Sequence, residues 1–264
     1  MAVPDQPTQK IIPSHLIAKK RSGLKIFALT AYDYPLARLV DEAGVDIILV
    51  GDSVGNVVLG YPDTTHVTIS DMLHHLRAVV RAKPRAIVAV DMPIGSFSTA
   101  ETAVRNALMF VQAGAEAVKM EGGKEIKEII KAVVEAGVQV IGHIGFLPQR
   151  VQEEGGYRMK GKTPEEQQWL MESAKALVEA GVFAIVLELV PAHIAEAITH
   201  SVPIPTIGIG AGPHCDGQIL VTHDLVGFTP WVKLRHVTPL AQVGQTIIDA
   251  IREWKRRFEG TSHT

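Results

Sequence analysis

The apolar positions of this chain fall into short solid runs that alternate with longer amphipathic stretches. Four of the joints between them share one phrase: DEAGVDIILV, VQAGAEAVKM, VEAGVQVIGH and VEAGVFAIVL, with glycines at Gly44, Gly114, Gly137 and Gly181. Each glycine closes a helical pattern, where a left-handed C-cap favours a residue without a Cβ. Within a residue or two comes a run rich in Val, Ile and Ala, the pattern of a strand buried on both faces. The phrase is a helix-to-strand joint, repeated. Completing the pattern predicts strands near Ile26–Tyr32, Asp46–Gly51, Ala86–Val90, Ala115–Met120, Val138–Gly142, Val182–Leu187, Pro205–Ile209 and Ile219–Thr222. Helices are predicted over Ser70–Lys83, Ala100–Ala113, Lys124–Ala136, Pro164–Ala180 and Leu240–Phe258. The run Thr163-Pro164-Glu165-Glu166 offers an N-cap, an N1 proline and early acids in order. Eight strands alternating with helices in 264 residues point to one (β/α)8 TIM barrel spanning 1–264. An open doubly wound sheet is the competing architecture, and Trp231–His236 competes for the eighth strand.

Composition narrows the setting. With 47% hydrophobic residues the chain can bury a large core, and a formal net charge of -2 argues against a nucleic-acid binder. No apolar run approaches the ~20 residues of a membrane helix. The start, MAVPDQPTQK, lacks the apolar stretch of a secretory signal. A single cysteine, Cys215, permits no internal disulfide and fits a reducing cytoplasm. Set among the turn residues GPHCDG, Cys215 reads as incidental rather than as a catalytic thiol.

In barrels of this kind chemistry gathers at the C-terminal ends of the strands. Five consecutive predicted strands end there in ionisable groups: Asp52-Ser53, Asp91, the pair Lys119 and Glu121, His143, and Glu188. Lys119 and Glu121 lie two apart and so on one face of a strand. Each has a bland reading, as a helix cap, a packed ion pair or a satisfied core histidine, but five in a row at one mouth do not. Two aspartates without soft ligands suit a hard cation such as Mg2+. A 2-oxo acid could chelate that ion, which would polarise the carbonyl and stabilise an enolate. Glu188, after an all-apolar run, has the setting of a general base for the neighbouring C–H. Lys119 offers positive charge to the substrate carboxylate or the enolate oxygen. The glycines of GIGAG, Gly208–Gly212, suit either a phosphate site or a tight turn admitting a bulky co-substrate; the turn is favoured, since nothing else calls for a phosphate.

The motifs GDSVGNVVLGYPDTTHVT, DMPIGSF, AVKMEGG, GHIGFLPQ, ELVP and IGIGAGPHCDGQIL occur in this order, from about Thr30 to Gly227. Together they resemble the ketopantoate hydroxymethyltransferase family. The resemblance implies a barrel of the phosphoenolpyruvate/pyruvate type that binds Mg2+. It implies transfer of a hydroxymethyl group from 5,10-methylenetetrahydrofolate to 3-methyl-2-oxobutanoate, giving 2-dehydropantoate (ketopantoate) and tetrahydrofolate, in pantothenate and coenzyme A biosynthesis. On it, Asp52 and Asp91 match the metal ligands, Glu121 a third acidic residue near the metal acting through water, and Ser53 and Lys119 the substrate-binding residues. His143 matches a histidine at the same mouth, and Glu188 the proton acceptor. The resemblance also implies a large homo-oligomer, commonly a decamer. The segment Val54–Thr68 is then expected to fold over the site, with Gly55 and Gly60 allowing tight turns and water excluded from the reactive one-carbon donor.

Two other functions compete. A C–C or C–P lyase related to isocitrate lyase would share the barrel, but such enzymes usually carry a loop cysteine where Cys215 does not stand. A metal-dependent 2-oxo acid binding protein would have no use for a base at Glu188.

Overall fold

The computed structural model describes residues 9–231 and 238–260. Its contacts group into two compact units, Met1–Ile219 and Leu220–Thr264. Eight parallel strands form a closed barrel in sequence order: β1 (Ile26–Thr30), β2 (Ile47–Val50), β3 (Ile87–Asp91), β4 (Ala117–Glu121), β5 (Val140–Gly145), β6 (Ala184–Glu188), β7 (Thr206–Ile209) and β8 (Gly217–Leu220). The helices are α1 (Pro13–Arg21), α2 (Tyr34–Glu42), α3 (Val54–Val57), α4 (Ile69–Val80), α5 (Ala100–Gln112), α6 (Lys127–Glu135), α7 (Pro164–Ala180), α8 (Ala192–Ser201), α9 (Thr222–Leu225) and α10 (Val243–Gly260). The barrel expected from the repeated joint is the observed architecture.

Strand period separates two cores. Ile47, Leu49, Ile87, Ala89 and Ala184 fill the barrel, while the alternate residues, Ile48, Val50, Val88 and Val90 among them, pack outward beneath the helices. The caps follow the sequence signals. Thr163 accepts from the Glu166 N–H ahead of Pro164, and Thr68 with Asp71 forms a capping box on α4.

Several boundaries move by a few residues. β5 runs on to Gly145, so His143 lies within the strand rather than after it. The stretch predicted as one helix from Lys124 opens with a 3-10 turn, Lys124–Ile126, before α6. β8 begins two residues early and Thr222 starts α9 instead. The reason is closure against β1: the Ile26 N–H donates to the Asp216 carbonyl at 3.0 Å, and a Cβ on Gly217 would stand 2.4 Å from the Ile26 oxygen. The competing eighth strand, Trp231–His236, lies outside the described residues except for Trp231.

The four joint glycines all have left-handed backbone, with φ of 85°, 104°, 88° and 92° in chain order. They differ in surroundings. A Cβ on Gly114 would lie 2.6 Å from Val80 Cγ1, whereas one on Gly137 would meet nothing within 4 Å. Gly137→Ala is therefore expected to cost only the left-handed strain, ~1–2 kcal/mol, and Gly114→Ala clearly more. Urea unfolding of both variants measures this, and an equal loss in the two would contradict the packing at Gly114.

Candidate active site

The two-residue period that builds the barrel core also builds its mouth. On β3 the interior positions are Ile87, Ala89 and Asp91; on β4 they are Ala117, Lys119 and Glu121; on β5, Ile141 and His143; on β6, Ala184, Val186 and Glu188. Each strand carries small or branched apolar side chains inward at its start and an ionisable one at its end. Strand register sets these ends side by side: Asp91 is opposite Lys119, and Glu121 opposite His143. Asp52 and Ser53 follow β2 directly. Gly51 leaves room for this turn, since a Cβ there would be 2.9 Å from Ser53 Oγ and 3.5 Å from Asp91 Oδ2.

All six ionisable side chains converge, and Lys119 stands at the centre. Its Nζ lies 3.0 Å from Asp91 Oδ1, 3.5 Å from Glu121 Oε1 and 3.1 Å from His143 Nδ1. The contact with Asp91 is a short buried ion pair made through Oδ1. The other Asp91 oxygen accepts from the Asp52 N–H at 2.9 Å. His143 bridges the site, with Nδ1 3.4 Å from Glu121 Oε1 and Nε2 3.3 Å from Glu188 Oε2. Where Nδ1 accepts from Lys119, the ring proton sits on Nε2, facing Glu188.

Burial and like charge set the electrostatics. Burial, then Asp91 and Glu121, push the Asp52 carboxyl well above its usual range. Asp91 is also raised by burial, with Lys119 offsetting part of the effect. Burial acts the same way on Glu121, but Lys119 and His143 outweigh it and hold that carboxyl down at about 2. Lys119 itself resists desolvation, because three surrounding carboxylates hold its ammonium above the ordinary value. His143 is raised on balance: burial and Lys119 oppose its charged form, Glu121 and Glu188 favour it more.

Glu188 closes β6 at the mouth. His143 stands beside it, and its side chain is 14% exposed. Ser53 is half-buried, and its Oγ shares a 2.8 Å hydrogen bond with the Tyr32 hydroxyl. The Val54–Thr68 segment holds α3 and a 3-10 turn, Thr64–His66, and Asp63 in it accepts from Gln152 Nε2 at 2.9 Å. Gly60 has the expected turn backbone, φ 74°, whereas Gly55 is needed for packing against Val67, 2.7 Å from its absent Cβ. In GIGAG Gly210 and Gly212 have the left-handed backbone of a tight turn, φ 62° and 77°, and Cβ atoms on them would also lie 2.7 Å from Leu189 and 2.5 Å from Ala192. Cys215 is buried beneath Gly208, and burial raises its thiol, so it has no nucleophilic setting.

Two site residues escaped the sequence reading. Tyr32, fully buried, meets Ser53 from beyond the end of β1. Gln149 donates from Nε2 to Asp52 Oδ2 at 2.9 Å and from its backbone N–H to Glu121 Oε2 at 3.1 Å. The available signal was the mostly apolar run IFALTA before Tyr32 and the polar residue closing GFLPQ. Among the described residues, no group of three or more His, Cys, Asp or Glu is arranged to hold a metal ion. A metal here would rest on two protein ligands.

The chain matches the family profile described as ketopantoate hydroxymethyltransferase over residues 10–263. It is 53% identical over 251 residues to the 3-methyl-2-oxobutanoate hydroxymethyltransferase of Ignicoccus hospitalis, covering 93% of this chain and 94% of the relative. A relative of the same description from Thermoanaerobacter sp. is 49% identical over 242 residues, with 91% and 88% covered. Among solved structures, phosphonopyruvate hydrolase complexed with oxalate and Mg++ superposes with a TM-score of 0.62 at 18% identity, covering 95% of this chain and 87% of that one. A 2,3-dimethylmalate lyase of the PEP mutase/isocitrate lyase superfamily superposes with a TM-score of 0.59 at 18% identity, covering 94% and 87%. These structures share the fold.

The central ammonium makes a stability prediction. Lys119→Met removes the cation paired with Asp91 and leaves buried carboxylates uncompensated. In the absence of divalent cations it is expected to destabilise the protein by about 3–5 kcal/mol, measured by urea unfolding. An unchanged midpoint would show that Lys119 is not the charge partner the geometry makes it.

Proposed function

The chain belongs to the ketopantoate hydroxymethyltransferase family, and from that premise we propose how its own residues carry out hydroxymethyl transfer to 3-methyl-2-oxobutanoate. The donor is 5,10-methylenetetrahydrofolate, the products are 2-dehydropantoate and tetrahydrofolate, and the step belongs to pantothenate biosynthesis. The observation that carries the reading is the convergence of Asp52, Asp91, Lys119, Glu121, His143 and Glu188 at one barrel mouth.

The donor set fits Mg2+. Asp52 and Asp91 offer hard oxygens, and each has one oxygen engaged by a hydrogen bond, from Gln149 and from the Asp52 N–H respectively. Asp91 Oδ1 faces the Lys119 ammonium, and the three carboxylates around that ammonium exceed its charge. When bound, the ion supplies Lewis-acid polarisation of the substrate's keto oxygen. Both Glu121 oxygens are engaged, by Gln149 on one side and by Lys119 and His143 on the other. Glu121 would therefore act on a bound cation indirectly, through water as the resemblance implies and through the charge it fixes on Lys119.

The remaining steps belong to the protein. Lys119 and Ser53 hold the substrate carboxylate, with Tyr32 orienting the serine hydroxyl. Glu188 takes the C3 proton, and His143, 3.3 Å away, steadies the carboxylate before transfer. C3 then forms its bond to the methylene carbon as that carbon's bond to one folate nitrogen breaks, and one water replaces the second folate nitrogen, so that its oxygen becomes the new hydroxyl and the nitrogens leave as tetrahydrofolate. The Val54–Thr68 segment, fastened through Asp63 to Gln152, limits the water reaching the donor. Self-association has a surface on α10, where Ile247, Ile251, Trp254 and Phe258 are exposed at helical spacing. A homo-oligomer, a decamer in the form the resemblance implies, would cover it.

Product analysis after incubation with both substrates and Mg2+ tests the reaction, with 2-dehydropantoate expected. Cleavage products without folate would favour the lyase reading instead. Asp52→Ala and Asp91→Ala are each expected to lose 2-oxo acid binding in the presence of Mg2+, as wild-type protein should in excess chelator; undiminished affinity would sink the metal assignment.

The base has its own test. Wild-type protein with Mg2+ and no folate should exchange the C3 proton of 3-methyl-2-oxobutanoate with deuterated solvent. Glu188→Gln keeps size but cannot accept the proton, so exchange should fall ~10²–10⁴-fold. Exchange at the wild-type rate would remove Glu188 from the mechanism and promote His143.

A further inference from the structure

Gln149 lies in the short 3-10 turn after β5, Pro148–Arg150, and is 6% exposed. A glutamine this far from water must use its amide on protein partners. Here the bonds converge on one place. Nε2 donates to Asp52 Oδ2 at 2.9 Å and to the Met92 carbonyl at 2.9 Å, while the backbone N–H donates to Glu121 Oε2 at 3.1 Å. One residue thus touches carboxylates delivered by β2 and β4, and the backbone immediately after Asp91. Both donors of the amide nitrogen are used, so a flipped amide would set its oxygen against two acceptors. The side chain has one workable orientation, and it fixes the rotation of Asp52.

We propose that Gln149 is the positioning residue of the cation site. It pins one oxygen of Asp52 so that the other is presented to a divalent ion, and it holds Glu121 turned towards Lys119 and His143. The inference rests on the Mg2+ reading above. Neutrality matters to the role. A lysine or arginine would cancel the negative charge that attracts the ion, and a glutamate would set a further acceptor against Asp52. Hydrogen-bond partners of metal ligands typically change metal affinity ~10–100-fold when removed.

Calorimetric titration of Mg2+ in the presence of 3-methyl-2-oxobutanoate, with a thermal melt of each protein, tests the assignment. Gln149→Leu removes the amide and keeps the backbone N–H. It is expected to melt cooperatively and bind Mg2+ ~10–100-fold more weakly, with proton exchange recovered by excess Mg2+. If Gln149→Leu fails to fold, Gln149→Met, unbranched like glutamine, carries the same expectation. A folded variant with wild-type Mg2+ affinity, or one that loses melting temperature alone, overturns the positioning role. Absence of Mg2+ binding by wild-type protein is a different result: it removes the metal reading, and the positioning role with it.

Discussion

The mouth of this barrel is organised around a buried ammonium that is outnumbered. Lys119 is 6% exposed, and Asp52, Asp91 and Glu121 all act on it. Three ionised carboxylates against one ammonium leave an excess of negative charge where water cannot screen it, and such an arrangement is costly unless something compensates. Two routes to compensation exist. Protons can return to the carboxylates, the direction in which burial drives Asp52 and Asp91. Alternatively, a divalent cation can take their place. Glu121 does not share this freedom, because Lys119 and His143 keep it ionised. The excess is thus concentrated on the two aspartates that the proposed reaction assigns to the metal.

Barrel geometry explains why this charge can be gathered without dissolving the core. The interior of each strand is apolar at its start, as with Ile87 and Ala89 below Asp91, or Ala184 and Val186 below Glu188. The charged layer therefore rests on a dry floor and opens only at one end. Outward-facing positions remain available for packing against helices. At Gly142 that packing is close enough that a Cβ would stand 2.7 Å from Leu177 on α7, which sets the backbone beside His143 firmly against its helix.

Much of this was legible in the chain, for a specific reason. An ionisable residue that interrupts an apolar strand run at the interior phase is visible as a break in period two, and Asp91, Lys119, Glu121 and Glu188 all show it. What was not legible depends on register and loop geometry. Nothing local to VLELVP reveals that His143, two strand residues before Gly145, will stand 3.3 Å from Glu188; that follows from pairing β5 with β6. Gln149 is a neutral residue in a turn, and its meaning arises only when the ends of β2 and β4 meet there. The eighth strand was misplaced by two residues because its start is set by contact with Ile26, far away in sequence. Chemistry carried on strands was readable, and chemistry carried by convergence was not.

The end of β6 adds a constraint of its own. Leu189 has a left-handed backbone, φ 47°, a conformation that costs a bulky residue of order 1–3 kcal/mol. Three backbone hydrogen bonds hold it and its neighbour: Leu189 N–H to the Ile209 carbonyl at 2.9 Å, Lys160 N–H to the Leu189 carbonyl at 2.8 Å, and Phe146 N–H to the Glu188 carbonyl at 2.8 Å. Gly145 makes the last approach feasible, since a Cβ there would fall 2.1 Å from the Glu188 oxygen. The chain is thereby turned sharply just after Glu188 and fastened to the strands on either side and to the segment after β5. A residue proposed to move a proton needs its backbone fixed while its carboxylate retains access to substrate. The strained turn supplies the first condition, and a side chain still 14% exposed beside His143 supplies the second.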